Sequence, residues 1–139
     1  MYNTVKLKED HWCLQRYLWS NNLDPNQPPQ EKIIKTLIHG VKSCGNQAER
    51  TLRKTANHSK DQYPRVNEVV NKDVYVDDCI SGEDSLNEAM KNADNLEIVI
   101  NKGGFRLKGF TFSGSDPPEA LSQDGKTISV GGMVWYPKK

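Results

Sequence analysis

Asp77 and Asp78 stand side by side in an apolar, β-branched run, Val74-Tyr75-Val76-Asp77-Asp78-Cys79-Ile80. Adjacent carboxylates in such a setting are costly to desolvate unless something positive holds them. Hard oxygen donors of this kind suit Mg²⁺, and the chemistry such a pair serves is phosphoryl or nucleotidyl transfer. Strand alternation predicts Tyr75 and Asp77 on one face and Val74 and Val76 on the other. A tight turn at Asp77-Asp78, with Cys79-Ile80 returning, predicts both carboxylates at a hairpin tip. The plain alternative is a solvated turn, where aspartate is common. A calcium loop is a poorer match: counted from Asp77, Gly82 is sixth and Glu88 twelfth, but the third place is the soft thiol of Cys79 and no helix enters.

The elements that must position this pair follow from periodicity. Trp12 to Trp19 reads as a strand, Asn21 to Gln30 as a loop with Pro25, Pro28 and Pro29, and Lys32 to His39 as a second strand pairing back on the first. Gly45 to Asn57 reads as a helix, with Ala48, Leu52 and Ala56 at every fourth residue. Pro64 opens a short helix through Val66, Val69 and Val70. Ser85 to Ile100 is the clearest helix: Ser85 and Glu88 form a capping box, Leu86, Ala89, Met90, Ala93, Leu96 and Ile100 form a stripe, and Gly103 follows as a stop. Phe105 to Phe112 reads as extended, Ser113 to Gly125 as a loop, and Thr127 to Tyr136 as two short apolar runs around Gly131-Gly132. The order of elements is that of an α+β fold.

Bulk properties narrow the classes. The 139 residues suffice for one small domain, and a formal charge of +1 gives no global nucleic-acid signature, so any such binding must come from local clusters. Cys13, Cys44 and Cys79 are odd in number and widely spaced, which points to reduced thiols in an intracellular setting. No zinc spacing joins them to His11, His39 or His58. No apolar stretch is long enough to span a membrane, and the Met1-Tyr-Asn-Thr-Val-Lys start does not read as a signal peptide.

Tyr75-Val76-Asp77-Asp78 resembles the catalytic motif of reverse transcriptases. Four further segments appear in order along the chain: Gly40-Val41-Lys42-Ser43-Cys44-Gly45-Asn46-Gln47-Ala48, Tyr63-Pro64, Gly103-Gly104-Phe105-Arg106-Leu107-Lys108 and Gly132-Met133-Val134-Trp135. Together they resemble the BEL/Pao family of retrotransposon polyproteins over nearly the whole length.

The resemblance implies a partial polymerase palm, with an antiparallel sheet, a catalytic-type β-hairpin and packing helices. It implies Mg²⁺ held by Asp77 and Asp78 beside Tyr75. Tyr2 would screen the sugar 2′ position of an incoming nucleotide, and Gly40, with the loop and helix start that follow it, would support the templating pair. Lys42, Arg50 and Arg53 are cations of a kind that contacts phosphates, a solvated helix face being the commoner role for such charges. Lys108 would meet the triphosphate, and Gly132, Met133 and Trp135 would grip the primer. The implied partners are an RNA or DNA template with its primer, deoxynucleoside triphosphates and the rest of the Pol polyprotein. Reverse transcription in cytoplasmic particles goes with that element type.

The family's first metal-binding aspartate belongs before the position matched by Met1, and Asp10 falls beyond Tyr2 in a Lys-Glu-Asp turn. The expectation is therefore a stretch that is inactive alone. A non-catalytic nucleic-acid-binding module and a functionless remnant are the alternatives.

Overall fold

The computed structural model describes residues 2–21, 26–119, 121–122 and 124–138. Part of the proline-rich loop, 22–25 with Pro25, lies outside the described residues, as do 120 and 123 of the later loop. The chain divides into two compact units, 1–48 and 49–139, with the division inside one helix. The class is α+β, as expected: helices accompanied by small antiparallel sheets.

In the first unit, β1 (Arg16–Trp19) pairs antiparallel with β2 (Gln30–Ile33), Arg16 facing Ile33 and Trp19 facing Gln30. Both strands are shorter than the sequence predicts. Residues Glu9–Leu14 form a 3₁₀ turn instead, in which the Trp12 indole N–H donates to the Leu7 carbonyl at 3.2 Å. That bond turns the Trp12 side chain back along the chain and keeps this stretch out of the ladder. Beyond Ile33 the pairing passes to the N-terminal segment: Lys6 bridges Thr36, and Leu37, fully buried, donates its N–H to the Val5 carbonyl at 2.9 Å.

The helix α1 (Cys44–His58) matches its predicted span, and Ala48, Leu52 and Ala56 are all buried. In the second unit α2 (Pro64–Lys72) opens on its proline, as predicted, and buries Val66, Val69 and Val70. It packs against α3 (Leu86–Lys102), whose N-cap Ser85 accepts the Glu88 N–H at 3.3 Å and donates its hydroxyl to the Glu88 carboxylate at 2.9 Å. The predicted stripe on α3 is buried only in its C-terminal half, at Ala93, Leu96, Val99 and Ile100. Leu86 and Met90 are 58% and 50% exposed. A nine-residue partner is too short to cover a helix of seventeen.

Gly103 ends α3 where the sequence marks a stop, but for a different reason. Its φ is −86°, an ordinary value, so no left-handed cap requires glycine there. A Cβ at this position would lie 2.5 Å from Thr55 Oγ1 and 2.8 Å from Thr55 Cγ2. Gly103 is what lets the end of α3 approach α1 so closely.

Three two-stranded ribbons make up the described sheets, β1–β2, β3 (Val74–Tyr75) with β4 (Asp78–Cys79), and β5 (Ile128–Val130) with β6 (Met133–Trp135). Antiparallel pairing is present, as expected, divided among three separate ribbons. Residues 105–112 are irregular and add no strand, with Phe105 buried. Substituting Gly103→Ala is expected to destabilise the second unit by about 1–3 kcal/mol through overpacking. Adding Thr55→Ala should recover most of that loss, as read from urea unfolding of the single and double variants.

Candidate functional site

The aspartate hairpin forms, but its turn sits one residue earlier than the sequence suggests. Val74 faces Cys79 and Tyr75 faces Asp78, leaving Val76-Asp77 as the two-residue loop. Asp77 is therefore at the tip and exposed, whereas Asp78 is the first residue of the returning strand and half-buried. Val76 carries a φ of 55°, the only positive value among the described non-glycine residues. A β-branched side chain there is strained by roughly 1–3 kcal/mol, and such strain persists only where the surroundings over-determine it.

Those surroundings are visible at both ends of the hairpin. At its base, the Ile80 N–H donates to the Asp73 carbonyl at 3.1 Å and the Ser81 hydroxyl to the Asp73 carboxylate at 2.7 Å. Arg65 on α2 then fixes the outgoing chain, donating to Glu83 at 2.8 Å, to the Gly82 carbonyl at 2.9 Å and to Glu68 at 3.0 Å. The bonds to Glu83 and then Glu68 hold its guanidinium above its ordinary pKa. Asn92 of α3 also donates to Glu83, at 3.0 Å. At the tip, the Gly131 N–H donates to Asp78 Oδ2 at 2.7 Å, across 53 residues.

Gly131 belongs to the β5–β6 ribbon, whose register sets Val130 opposite Met133 and makes Gly131-Gly132 the loop. Both glycines have positive φ, 57° and 81°, the signature of a tight hairpin turn that other residues rarely make. Met133 and Trp135 share one face of β6, and Met133 is 69% exposed, so it is not core. The ribbon is entered through Asp124, whose carboxylate accepts from Ser122 Oγ, the Lys126 N–H, the Thr127 N–H and Thr127 Oγ1, at 2.8–2.9 Å. The backbone bond from Lys126 leads these in holding Asp124 well below the usual carboxylate range. After β6, the Pro137 carbonyl accepts the Gly114 N–H at 2.6 Å.

The other predicted residues are placed as follows. In the first unit, Tyr2 lies in a 3₁₀ turn with its ring edge-on to His39, centroids 4.0 Å apart. Its hydroxyl is within 3.8 Å of where a Gly45 Cβ would stand. Gly40 has a φ of 93° and open space around it, so its glycine answers to backbone conformation and not to close packing. Lys42 is exposed in the turn before α1. In the second unit, Tyr75 is 73% exposed beside the aspartates. Lys108 is exposed on the irregular 105–112 segment, and among the described residues no hydrogen bond or ion pair ties it to the hairpin.

Asp77 and Asp78 are hard oxygen donors, suited to one Mg²⁺ that completes its shell with water and substrate phosphates. Among the described residues there is no group of three or more His, Cys, Asp or Glu side chains placed to hold an ion, so a clamp for two cations is not assembled from them. Cys79 does not supply the shortfall. The residue is exposed, yet partial desolvation, followed by the negative charge of Asp73, pushes its thiol up to about 11. The thiol is thus protonated at neutral pH. Among the described residues no helix is long and apolar enough to cross a membrane.

Sequence reasoning placed Gly131 only in a turn, and it passed over Asp73 and Arg65. Gly131 acts through its backbone N–H, which leaves no mark in side-chain chemistry. Arg65 carries only a faint signal, a lone cation in the first turn of the helix feeding the hairpin. No protein-family model, curated protein or solved structure matches this chain.

Two outcomes follow from these environments. Alkylation of Cys79 by iodoacetamide should be slow at pH 8 and accelerate until the pH passes about 11, where an unperturbed thiol would already plateau near 9. Mass spectrometry of the labelled peptides reads the rate site by site. Because the Asp124 pKa is depressed on folding, its contribution is fully present above the ordinary carboxylate value and fades only as pH falls through the depressed one. The Lys126 and Thr127 amide resonances should therefore hold their native shifts down to about pH 3, below the unperturbed aspartate value. Asp124→Asn should displace them at neutral pH.

Proposed function

We propose that this chain is part of the palm of a BEL/Pao-like reverse transcriptase, whose parent reaction is RNA-directed DNA synthesis. In that reaction a primer 3′-hydroxyl attacks the α-phosphate of an incoming deoxynucleoside triphosphate and pyrophosphate leaves. The observation that carries the reading is the bond from Gly131 to Asp78. The resemblance assigns the β3–β4 tip to the reacting centre and the β5–β6 ribbon to the primer, and it makes no statement of contact between them. A direct link across 53 residues is what a polymerase would need to register a primer end against its carboxylates.

In this reading Asp77 and Asp78 hold Mg²⁺, which supplies charge neutralisation for the phosphates when bound. Asp77, exposed at the tip, meets the ion first. Asp78 has one oxygen committed to Gly131, which leaves the other for coordination and fixes the carboxylate's orientation. Met133 and Trp135 offer an apolar face to the primer strand, Gly132 lets its backbone approach, and Lys108 reaches for the triphosphate.

Among the described residues no third acidic ligand stands with Asp77 and Asp78 to clamp the pair of ions that in-line transfer uses, so on this reading extension calls for the remainder of the Pol polyprotein. A non-catalytic nucleic-acid-binding role for the isolated chain is compatible with the same observation.

Titration of the purified chain with Mg²⁺ into the millimolar range should shift the amide resonances of Asp77, Asp78 and Gly131 together. Asp78→Asn should decouple Gly131 from the titration. With an RNA template, DNA primer and deoxynucleoside triphosphates, no primer extension is expected. Extension would overturn the inactivity, and resonances unmoved by Mg²⁺ would overturn the polymerase assignment.

A further inference from the structure

The β1–β2 ribbon of the first unit presents one bare edge. The Gln15 carbonyl accepts the Ile34 N–H at 2.9 Å, one residue before Arg16 meets Ile33 in the ladder. Strand alternation then turns the N–H and C=O of Tyr17 and Trp19 toward β2, and those of Arg16 and Leu18 away from it. Among the described residues β1 has no second neighbour, since its sheet holds two strands. Leu18 is 69% exposed, Trp19 47% and Tyr17 40%. An edge with open backbone groups and apolar side chains is a template for another strand.

The residue types say which strand fits. Tyr17 and Trp19 share one face, where Lys32 lies across from Tyr17 with its ammonium 5.2 Å from the Trp19 ring centroid. Leu18 is on the other face, opposite Glu31, which pairs with Arg16 at 2.8 Å. A two-fold axis through Leu18, perpendicular to the ribbon, sets a second β1 antiparallel to the first. Leu18 then meets its own counterpart as a doubly hydrogen-bonded pair, and Tyr17 meets Trp19 twice at the closer, non-hydrogen-bonded positions. Four aromatic rings form one patch with a Lys32 at either side. Slid by two residues, the same pairing sets Arg16 against Leu18 and loses both Tyr–Trp pairs.

The outer edge of β2 is closed to the same addition. Beyond Ile33 it is occupied by the N-terminal segment, whose Leu7 N–H donates to the Lys35 carbonyl at 2.9 Å. Within β2, the outward backbone groups belong to Glu31 and Ile33. A second β2 added there sets Glu31 opposite Glu31 or Lys32 opposite Lys32, and like charges so placed repel.

We infer that β1 is a self-association strand: two copies of this chain join antiparallel at Leu18 into one four-stranded sheet. Two strands alone are marginal in water, and further strands supply the stability they lack. The three side chains leave roughly 300 Å² per copy to be covered. That is the low end for a specific interface, so the dimer is transient, with a Kd of about 0.1–1 mM. None of the residues assigned to the polymerase reading takes part, and the inference stands or falls separately from it.

Sedimentation equilibrium of the full chain, from about 20 µM to about 1 mM, tests the pairing. The weight-average mass should rise from that of one chain toward that of two. Isotope-filtered NOEs in a mixed labelled sample should run from the Tyr17 ring of one copy to the Trp19 indole of the other. Leu18→Lys sets like charges opposite each other and should weaken association at least about tenfold. Leu18→Pro removes the outward N–H, spares the bonds to β2 and should do the same. Ile33→Thr, a strand-compatible change on β2, should leave association intact. Tyr17–Lys32 NOEs within each copy report that the ribbon persists in every variant.

A chain that stays monomeric through the range, or growth beyond dimers, would overturn the pairing. So would equal loss in Ile33→Thr, undiminished association in the Leu18 variants with the ribbon intact, or a dimer without Tyr17–Trp19 NOEs between copies. Failure of the Mg²⁺ titration at Asp77 and Asp78 would leave these outcomes unaffected.

Discussion

A two-stranded ribbon has no interior, and alone in water it is at best marginally stable. All three described sheets of this protein are such ribbons, and their strands are two to four residues long. The rest of the structure depends on how each is tethered. β1–β2, almost wholly exposed, is crossed by the Arg16–Glu31 pair at 2.8 Å and backed by Lys32 over the Trp19 ring. Exposed ion pairs of this sort contribute about 0–1 kcal/mol, so this ribbon relies on its backbone bonds to the preceding and following segments. β3–β4 is held by Asp73 at its base and Arg65 beyond it. β5–β6 is bracketed by Asp124 before and Gly114 after. The bond from Gly131 to Asp78 ties the last two together, and it carries more weight than its roughly 1–2 kcal/mol because it converts two marginal elements into one.

That tether also explains the register of the aspartate hairpin. Turn preference favours Asp77-Asp78 as the loop, because aspartate tolerates turn conformations and valine resists them. The protein places Val76 in the loop at a φ of 55° and bears the strain. Moving the turn one residue along would send every following side chain to the opposite face. Asp78 would then leave Gly131, and the chain beyond would lose its match to Asp73 and Arg65. Local preference loses to a set of bonds that hold only in the strained register.

The helices were largely legible because their signals are local. Ser85 with Glu88, Pro64 at a helix start, and Ala48-Leu52-Ala56 each act within a turn or two of chain. The strands were less so: Trp12 has the character of a strand residue but spends its indole N–H on the Leu7 carbonyl. Leu86 and Met90 fit the stripe of α3 and still face solvent, since periodicity reports which side is apolar and not how far the covering partner extends. Gly103 was found for the wrong reason, a cap in place of a close approach to Thr55. For the site, the sequence isolated Asp77, Asp78 and the Gly131-Gly132 turn as separate features. Their union rests on a glycine N–H, which no residue type announces.

A formal charge of +1 conceals opposite fields. The β3–β4 tip presents two acidic residues with no cationic side chain bonded to them among the described residues, while Arg50, Arg53, Lys54, Asn57 and Asn71 line an open groove on α1 and α2, Arg53 also pairing with Glu49. Within a Debye length of about 8 Å such groups act locally, so net charge carries little information about either surface. An anion approaching the groove is attracted, and the same anion approaching the tip is repelled unless a cation has arrived there first. That ordering follows from Coulomb's law applied to the two patches, whatever reaction the carboxylates serve.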